Sequence, residues 1–157
     1  MTQKLELLEA LRPILDFLGE NSIDSSLQTA LQKQFPLHDP TMQEVKQLVL
    51  EGINSGWLCP RAGKDLTYGR LTKADVKTNN FGIDTVDMFS IGPGHTHPNG
   101  EVDLCFSVEG NPLFDGNPEG WTVYEKDTWH VPTVSGGRMA ILYFLPEGAI
   151  AFGPKPD

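Results

Sequence analysis

The chain has 157 residues, 39% of them hydrophobic, which suits one globular domain with a single buried core. Its formal net charge of −9, without any cluster of lysine or arginine, excludes nucleic acid as a partner because phosphate backbones would be repelled. We expect no secretory signal, because the segment MTQKLELLEALRP carries acids and lacks an unbroken apolar core, and no apolar run approaches the roughly 20 residues of a membrane span. We therefore expect a cytoplasmic protein that binds no membrane and whose two cysteines stay unpaired.

Three helices are predicted in the first 58 residues. Leucines recur at three- and four-residue steps between residues 5 and 18, which indicates a single helix with one apolar face. The same spacing indicates a second helix in residues 25–35. The third begins at Pro40, with Asp39 as its capping residue, and Gly56 suits its end.

The rest of the chain, residues 59–157, is predicted to be an antiparallel β structure. From about Leu66 onward, short apolar or alternating segments are separated by turn sequences such as GPG, PNG, DGNPEG and SGG. This close spacing is typical of a sandwich or a small barrel. We expect the helical residues 1–58 to pack against it, so that both parts form one structural unit.

Two histidines and an acid lie close together in the segment GPGHTHPNGEVDLCF. His95 and His97 are two residues apart, so in a strand both side chains project to the same side. Glu101 begins the next strand after the PNG turn, and His130 is a third histidine further along. Three imidazoles and one carboxylate, with positions left open, suit one catalytic divalent transition metal ion, either Fe, Mn, Ni or Zn.

Alternation along the strand that begins at Glu101 places Asp103 on the same face as Glu101. A carboxylate that lies beside a metal ion without binding it is a natural general base, and Asp103 is the candidate. The other face of this strand is apolar and carries Val102, Leu104 and Phe106. It has to be covered either by the N-terminal helices or by a second subunit, and this need is the reason to expect a homodimer.

The segment HTHPNGE resembles the first sequence motif of the cupin superfamily, and TWHVP resembles the part of the second motif that contains a histidine. The resemblance covers about residues 66–152. It implies a cupin-like antiparallel β-barrel of the jelly-roll type. It also implies one divalent ion held by His95, His97, Glu101 and His130.

The identity of the acidic ligand is open between two residues. In the first cupin motif a glycine usually stands seven positions after the acid, and counting back from Gly110 reaches Asp103 instead of Glu101. Either Glu101 binds the ion and the strand runs two residues longer than usual, or Asp103 takes the ligand position.

A longer resemblance extends over nearly the whole chain. The segments GPGHTHPNGEVDL, FDG and HVPTVSGGRMAILYFLPEGAIAF, together with the helical N-terminal part, look like the small bacterial family of 4-hydroxylaminobenzoate lyase. This resemblance implies a metal-dependent lyase that converts 4-hydroxylaminobenzoate to 3,4-dihydroxybenzoate (protocatechuate) and ammonia in nitroaromatic degradation. The partner of the protein would then be a small aromatic carboxylate.

Such a reaction gives roles to further residues. Asp103 or Glu101 could move protons between the nitrogen, the oxygen and the ring carbon. An arginine could bind the substrate carboxylate through two hydrogen bonds, and the candidates are Arg138 and Arg70. Aromatic side chains of the β region could sandwich the substrate ring. The candidates for this contact are Trp129, Tyr68, Phe114 and Trp121.

Two other functions fit the same residues. Three histidines around Fe(II) would suit a cupin oxygenase that acts on a small aromatic or thiol substrate and consumes oxygen, which the lyase does not. A non-catalytic cupin that binds a small ligand would retain little transition metal. The many ligating groups on one strand face argue against this last alternative.

Overall fold

The protein folds as four helices followed by nine β-strands in a computed structural model that describes residues 2–157. Residue 1, where the predicted helical segment starts, lies outside the described residues. No helix among residues 2–157 combines the length and the apolar character that crossing a membrane requires. The helices are α1 (Gln3–Ala10), α2 (Arg12–Gly19), α3 (Leu27–Gln34) and α4 (Pro40–Asn54).

The prediction of three helices is wrong, because residues 5–18 belong to two helices instead of one. The first helix ends at Ala10 and the second begins at Arg12, with Pro13 in its first turn. A proline has no N–H group, so Pro13 cannot donate the hydrogen bond to Glu9 that a continuous helix requires, and its ring crowds the preceding turn. The leucine spacing continues across this break and hides it.

The ends of α4 are confirmed, but its predicted side-chain cap is not. The helix begins at Pro40, because the fixed φ of proline suits the first turn. The Asp39 side chain makes no capping hydrogen bond, and its backbone carbonyl accepts from the Gln43 N–H at 3.0 Å. The helix ends at Asn54, and Gly56 follows with a positive φ of 80°.

The nine strands form two antiparallel sheets. The larger sheet has the order β1-β2-β3-β8-β5-β6 and the smaller one β7-β4-β9. The prediction of a mainly antiparallel β structure is confirmed, while the strand ladders of residues 2–157 form two separate sheets rather than one closed ring. The strands are β1 (Arg61–Gly63), β2 (Leu66–Thr72), β3 (Phe81–Met88), β4 (His95–His97), β5 (Glu101–Phe114), β6 (Gly120–Tyr124), β7 (Thr128–His130), β8 (Val134–Pro146) and β9 (Ala151–Phe152).

The outer face of β5 packs on the helices. Val102, Leu104 and Phe106 are fully buried in one hydrophobic core together with Leu7 and Leu31. Burying an apolar side chain of this size stabilises the fold by about 1.5–3 kcal/mol. We predicted that either the N-terminal helices or a second subunit would cover this apolar face, and in the structure the helices cover it. The apolar face of β5 therefore gives no reason to expect a homodimer.

The inner face of β5 is closed off from solvent and carries polar side chains. Glu101, Asp103 and Cys105 are fully buried there. Antiparallel pairing with β8 sets Tyr143 directly beside Asp103. The start of β5 therefore carries buried carboxyl groups on a face that is otherwise mostly apolar, and the candidate site lies where Glu101 contacts the histidines of the smaller sheet.

Candidate metal centre

The neighbouring strands β4 and β7 carry the three histidines of the site. His95 pairs with His130, and His97 pairs with Thr128, across these antiparallel strands. Residues directly opposite each other on antiparallel strands project to the same face. The three imidazoles therefore lie side by side, with ring centroids 4.7 to 4.8 Å apart.

A tight turn brings Glu101 onto this histidine cluster. Gly100 closes the turn between β4 and β5, with its N–H donating to the His97 carbonyl at 3.3 Å. The φ of Gly100 is 93°, which favours glycine, and a β-carbon there would lie 2.9 Å from Ile23. The strand that follows starts at Glu101, with its carboxylate among the histidines.

The Nε2 atoms of the three histidines lie close to the Glu101 carboxylate oxygens. His95 Nε2 lies 3.1 Å from Glu101 Oε1. On the other carboxylate oxygen, Oε2, His97 Nε2 lies at 3.3 Å and His130 Nε2 at 3.7 Å. One ligand atom from each of the four residues lies within 4.8 Å of the others, so they could hold one metal ion. Asp103, the alternative acidic residue, is outside this set.

The outer nitrogens of His95 and His97 bind hydrogen-bond acceptors, and this assigns the tautomers. His95 Nδ1 lies 3.2 Å from the Pro93 carbonyl, which can only accept. His97 Nδ1 lies 2.8 Å from the Thr128 hydroxyl, which donates its own hydrogen to the Glu125 carbonyl. Each Nδ1 therefore carries the proton, and each Nε2 presents a lone pair to the centre of the cluster.

Asp115 accepts the hydrogen bond of the His130 Nδ1–H group in the same way, a contact that the sequence did not reveal. His130 Nδ1 donates to Asp115 Oδ2 at 2.6 Å, and the Thr133 N–H donates to Oδ1 at 2.9 Å. The Tyr124 hydroxyl also donates to Oδ2. Burial raises the pKa of Asp115, but these hydrogen bonds outweigh burial and lower the pKa, so the carboxylate is charged. The FDG turn gives no local signal that its acid reaches a histidine 15 residues away.

The atoms that face the centre of the cluster lack hydrogen-bond donors. His97 Nε2 and Glu101 Oε2 are buried without any hydrogen-bond partner. His95 Nε2 and His130 Nε2, which both present lone pairs, are 3.2 Å apart. A cation at the centre would satisfy three imidazoles and one carboxylate at once, so these residues fit a divalent transition metal ion.

The charge of the cluster also favours a cation. Burial raises the pKa of Glu101, but the close contacts with His95 and His97 outweigh burial and lower the pKa, so the carboxylate is ionised. Burial lowers the pKa of His95, whereas the neighbouring Glu101 carboxylate raises it, and the net direction is upward. The carboxylate therefore attracts positive charge to this position, and a metal ion can supply that charge in place of a proton.

Asp103 is buried beside the cluster without a partner. Both of its carboxyl oxygens lack a hydrogen-bond partner. Burial, followed by the charge of Glu101, raises the pKa of Asp103 well above its ordinary range. A raised pKa favours the protonated form of this carboxyl group, which can donate its proton and later take it back.

A cavity of about 950 Å³ opens beside the cluster, and His95 forms part of its wall. Apolar side chains of β2 and β3 line much of the cavity. The basic residues Arg61, Lys64 and Arg70 line it as well, and Asp84 is the one acidic residue that the described part of the chain contributes to the wall. Apolar surface, excess positive charge and a histidine of the candidate metal cluster together suit a small aromatic anion.

The two predicted carboxylate-binding arginines lie in different places. Arg70 lines the cavity, where its Nε and Nη2 donate to the two carboxylate oxygens of Asp84 at 2.6 and 3.2 Å. Arg138 lies outside the lining of this cavity, and its ion-pair partners are Asp87 at 3.3 Å and Glu109 at 3.5 Å. Arg70 is therefore the predicted arginine that a molecule in the cavity can contact.

Of the aromatic residues predicted to contact the substrate ring, only one lines the cavity. Tyr68 lines the cavity and is 40% exposed, whereas Trp129 lies outside the lining. Tyr143 was not predicted but also lines the cavity, with its ring centroid 6.2 Å from that of His95. Its place in the long apolar strand β8 gave no sign of this role. The remaining two candidates are buried core residues, Phe114 and Trp121.

Comparison with known proteins identifies relatives of the whole chain. A sequence model of one protein family, described as PnbB: 4-hydroxylaminobenzoate lyase, matches residues 9–152. The 4-hydroxylaminobenzoate lyase of Nocardioides sp. (strain LMS-CY) is 28% identical over 168 residues, which cover 99% of this chain and 98% of that protein. The 4-hydroxylaminobenzoate lyase of Pseudomonas putida is 24% identical over 159 residues, which cover 88% of this chain and 90% of that protein.

Among solved structures, an RmlC-like cupin protein from Ralstonia eutropha JMP134 aligns with 60% of this chain at 16% identity and a TM-score of 0.43. The alignment covers 64% of that protein, so the chain spans less than two thirds of its length.

Proposed function

The chain belongs to the 4-hydroxylaminobenzoate lyase family, and on this premise we propose that it is a metal-dependent lyase of nitroaromatic degradation. It converts 4-hydroxylaminobenzoate to 3,4-dihydroxybenzoate (protocatechuate) and ammonia. The observation that carries the proposal is the meeting of three histidine Nε2 atoms and the Glu101 carboxylate beside a cavity with basic side chains.

The proposed reaction is redox-neutral and consumes one water molecule overall. The hydroxyl group leaves the nitrogen with the electron pair of the N–O bond and takes up a proton to become water. One water molecule adds to the ring carbon next to the carbon that carries the nitrogen. A second water molecule hydrolyses the resulting imine at the nitrogen-bearing carbon, so that ammonia leaves. No oxidant or reductant takes part, and the reaction therefore needs no oxygen.

His95, His97, Glu101 and His130 would hold the metal ion of this reaction. When bound, a divalent ion such as Fe, Mn, Ni or Zn supplies Lewis acidity for the departing hydroxyl group and for the attacking water. His95 is the ligand that also lines the cavity, so a molecule in the cavity approaches the metal position from the side of His95.

Asp103 is proposed to hold and move the proton. It lies on the inner face of β5, two residues after Glu101, and its buried carboxyl oxygens have no hydrogen-bond partner. The departing hydroxyl group needs a proton and the attacking water loses one, so a single carboxyl group can serve both steps. Glu101 is the alternative proton carrier, but its contacts with the three histidines leave it less free for this task.

The substrate carboxylate is proposed to bind on the basic side of the cavity. Arg70 uses its Nε and Nη2 groups for Asp84, while its Nη1 group makes no hydrogen bond with residues 2–157 and could bind the substrate. Arg61 and Lys64 add positive charge, and neither forms an ion pair within the described chain. The exposed ring of Tyr68 would lie along the substrate ring in this arrangement.

We further propose a cupin-like barrel that forms one structural unit with the helices and acts in the cytoplasm as a homodimer. The core that helices and strands share supports the single unit. The free thiols of Cys59 and Cys105 support a reducing compartment.

The exposed side chains of Phe89, Ile91 and Phe152 support a dimer, because a second subunit would cover them. Light scattering after size-exclusion chromatography measures the mass of the assembly.

Anaerobic incubation tests the proposed reaction. Untagged protein is loaded in turn with Fe(II), Mn(II), Ni(II) or Zn(II) and mixed with 4-hydroxylaminobenzoate, and ammonia and 3,4-dihydroxybenzoate are quantified. We expect equal amounts of both products from at least one metal form, and none from the His97→Ala control. Turnover that requires oxygen would instead indicate the oxygenase. Protein that retains no metal and releases no product would indicate a binding protein.

A further inference from the structure

We infer that Asp115 is a positioning residue that holds His130 in place as a metal ligand and thereby sets the affinity of the site for its ion. This inference rests on the metal site of the proposed function, but it does not depend on the identity of the substrate. It is carried by three observations: the greater exposure of His130, its short hydrogen bond to the Asp115 carboxylate and the anchoring of Asp115 itself.

His130 is less confined by packing than the other ligands. It lies on β7, an edge strand of the smaller sheet, whereas His95 and His97 lie on the central strand β4. The side chain of His130 is 10% exposed, compared with 1% for His95 and 0% for His97 and Glu101. The His130 ring is therefore the least enclosed of the three, so its direction depends more on its hydrogen bond than the directions of the other two rings do.

The hydrogen bond from His130 differs from those of the other two histidines. Its Nδ1 donates to a charged carboxylate at 2.6 Å, while His95 and His97 have the neutral acceptors Pro93 and Thr128 at 3.2 and 2.8 Å. A charged acceptor makes a shorter and stronger bond than a neutral one. It also makes the opposite ring nitrogen a better electron donor to a metal ion.

Asp115 is itself held from two sides. It follows β5 in a turn with φ of 50°, and its N–H donates to the Thr133 carbonyl at 2.9 Å. The Thr133 N–H donates back to Asp115 Oδ1 at 2.9 Å, and the Tyr124 hydroxyl donates to Oδ2. These bonds connect the end of β5 to the segment just after His130. The carboxylate is therefore fixed before any ion binds, so that the His130 ring is pre-oriented.

The test compares metal affinities of variants in the absence of substrate. Asp115→Asn keeps one amide oxygen as acceptor and tolerates the left-handed φ, but it removes the charge and replaces the second accepting oxygen by an NH2 group. We expect the affinity for Zn(II) or Co(II), measured by competition with a chromophoric chelator, to fall by about 10- to 100-fold. The visible absorption of the Co(II) form should also change, because one imidazole moves. Asp115→Glu retains the charge and should recover part of the affinity that the asparagine variant loses.

Two matched controls separate the charge of Asp115 from general damage. Tyr124→Phe removes another hydrogen bond to the same carboxylate, while the ring and the bond from His130 stay, so affinity should change by less than about threefold. Thr128→Val removes the neutral acceptor of His97 and should lower affinity less than Asp115→Asn does. Circular dichroism and thermal unfolding of the metal-free proteins establish that each variant is folded.

The outcomes that overturn the inference differ from those that overturn the function. Wild-type affinity and an unchanged Co(II) spectrum in Asp115→Asn would overturn the positioning role, even if the wild-type protein turns over its substrate. Equal losses in Asp115→Asn and Thr128→Val would overturn the special role of the charge. A wild-type protein that binds none of the tested ions would overturn the metal site and the inference together.

Discussion

His95 and His130 lie directly opposite each other on neighbouring antiparallel strands, and their Nε2 atoms are 3.2 Å apart. Their Nδ1–H groups donate hydrogen bonds to the Pro93 carbonyl and the Asp115 carboxylate. Two nitrogen lone pairs therefore point at each other in a buried place, and this arrangement is unfavourable unless a cation lies between them. The geometry of the site is therefore suited to a positively charged group.

His97→Ala should remove metal binding and turnover together, whereas Asp103→Asn should leave the metal in place and remove turnover. His97 offers one of the four atoms that could bind the ion, and Asp103 lies outside that set. Loss of a proton-transfer group lowers the rate by about 10²- to 10⁴-fold. Elemental analysis of the purified variants measures the metal, and ammonia release measures turnover. Equal metal loss in both variants would make Asp103 a ligand.

His38→Ala is the control for both variants. The His38 side chain is 85% exposed, so its removal should affect neither the metal content nor the turnover.

Gly100→Ala should weaken both the fold and the metal site. The new β-carbon would lie 2.9 Å from Ile23 and 3.2 Å from the Tyr124 carbonyl, at a φ of 93° that disfavours alanine. We expect the free energy of unfolding, measured in urea, to fall by about 1–3 kcal/mol. Chelator competition should show weaker metal binding, because Glu101 follows this turn directly.

The control for this turn is Gly56→Ala, which should lose stability without losing metal affinity. Its φ is also positive, at 80°, but no atom lies within 4 Å of the new β-carbon. Unchanged metal affinity in Gly100→Ala would contradict the role of the turn in placing Glu101.

Arg70→Gln should raise the KM for 4-hydroxylaminobenzoate by at least about 10-fold, while Arg138→Gln should leave KM unchanged. A hydrogen bond between charged groups contributes about 1.5–3 kcal/mol, and only Arg70 of this pair lines the cavity. Arg138 instead pairs with Asp87 and Glu109. Steady-state kinetics under anaerobic conditions measures both variants. A higher KM in Arg138→Gln alone would place the substrate carboxylate elsewhere.

The two cysteines should be unreactive in the folded protein. Burial raises the pKa of Cys59 from its ordinary 9.0 to about 11, and burial also raises the pKa of Cys105. At pH 8 the thiolate fraction of Cys59 is then roughly a hundredfold smaller than in the unfolded chain. Mass spectrometry after iodoacetamide treatment should show no label on folded protein and two labels on urea-unfolded protein. Fast labelling of the folded state would contradict this burial.

The same pKa shift predicts how stability depends on pH. The folded state keeps the Cys59 proton up to about pH 11, whereas the unfolded chain releases it near pH 9.0. The contribution of this thiol is therefore complete below pH 9.0 and is lost as the pH rises toward 11. Urea denaturation across this range should show falling stability, and Cys59→Ala should reduce the slope.

Leu104→Ala should lower the free energy of unfolding by about 2–5 kcal/mol, because the side chain is fully buried between β5 and the helices. Leu113→Ala on the same strand is the control, since Leu113 is 39% exposed and should cost about 0.5 kcal/mol. The loss in Leu104→Ala should not depend on protein concentration. A concentration-dependent loss would mean that a second subunit takes part in covering this face.

Features that depend on neighbouring residues could be predicted from the sequence. The His-x-His spacing and the PNG turn place His95, His97 and Glu101 together, because strand alternation and turn chemistry act over a few residues. The alternation of β5 likewise predicts one polar and one apolar face. The break at Pro13 was equally local, but the regular leucine spacing on both sides concealed it.

The sequence by itself determined the helical first part, the antiparallel β second part, the two faces of β5 and the types of ligand atom available. Only the tertiary structure decided that His130 lies opposite His95, that Asp115 holds His130 and that Arg70 rather than Arg138 reaches the cavity. These contacts depend on strand order and pairing register, which bring together residues that are far apart in the chain. Local patterns specify which way a side chain points from its own strand, but the partner that it meets is set by the packing of the whole molecule.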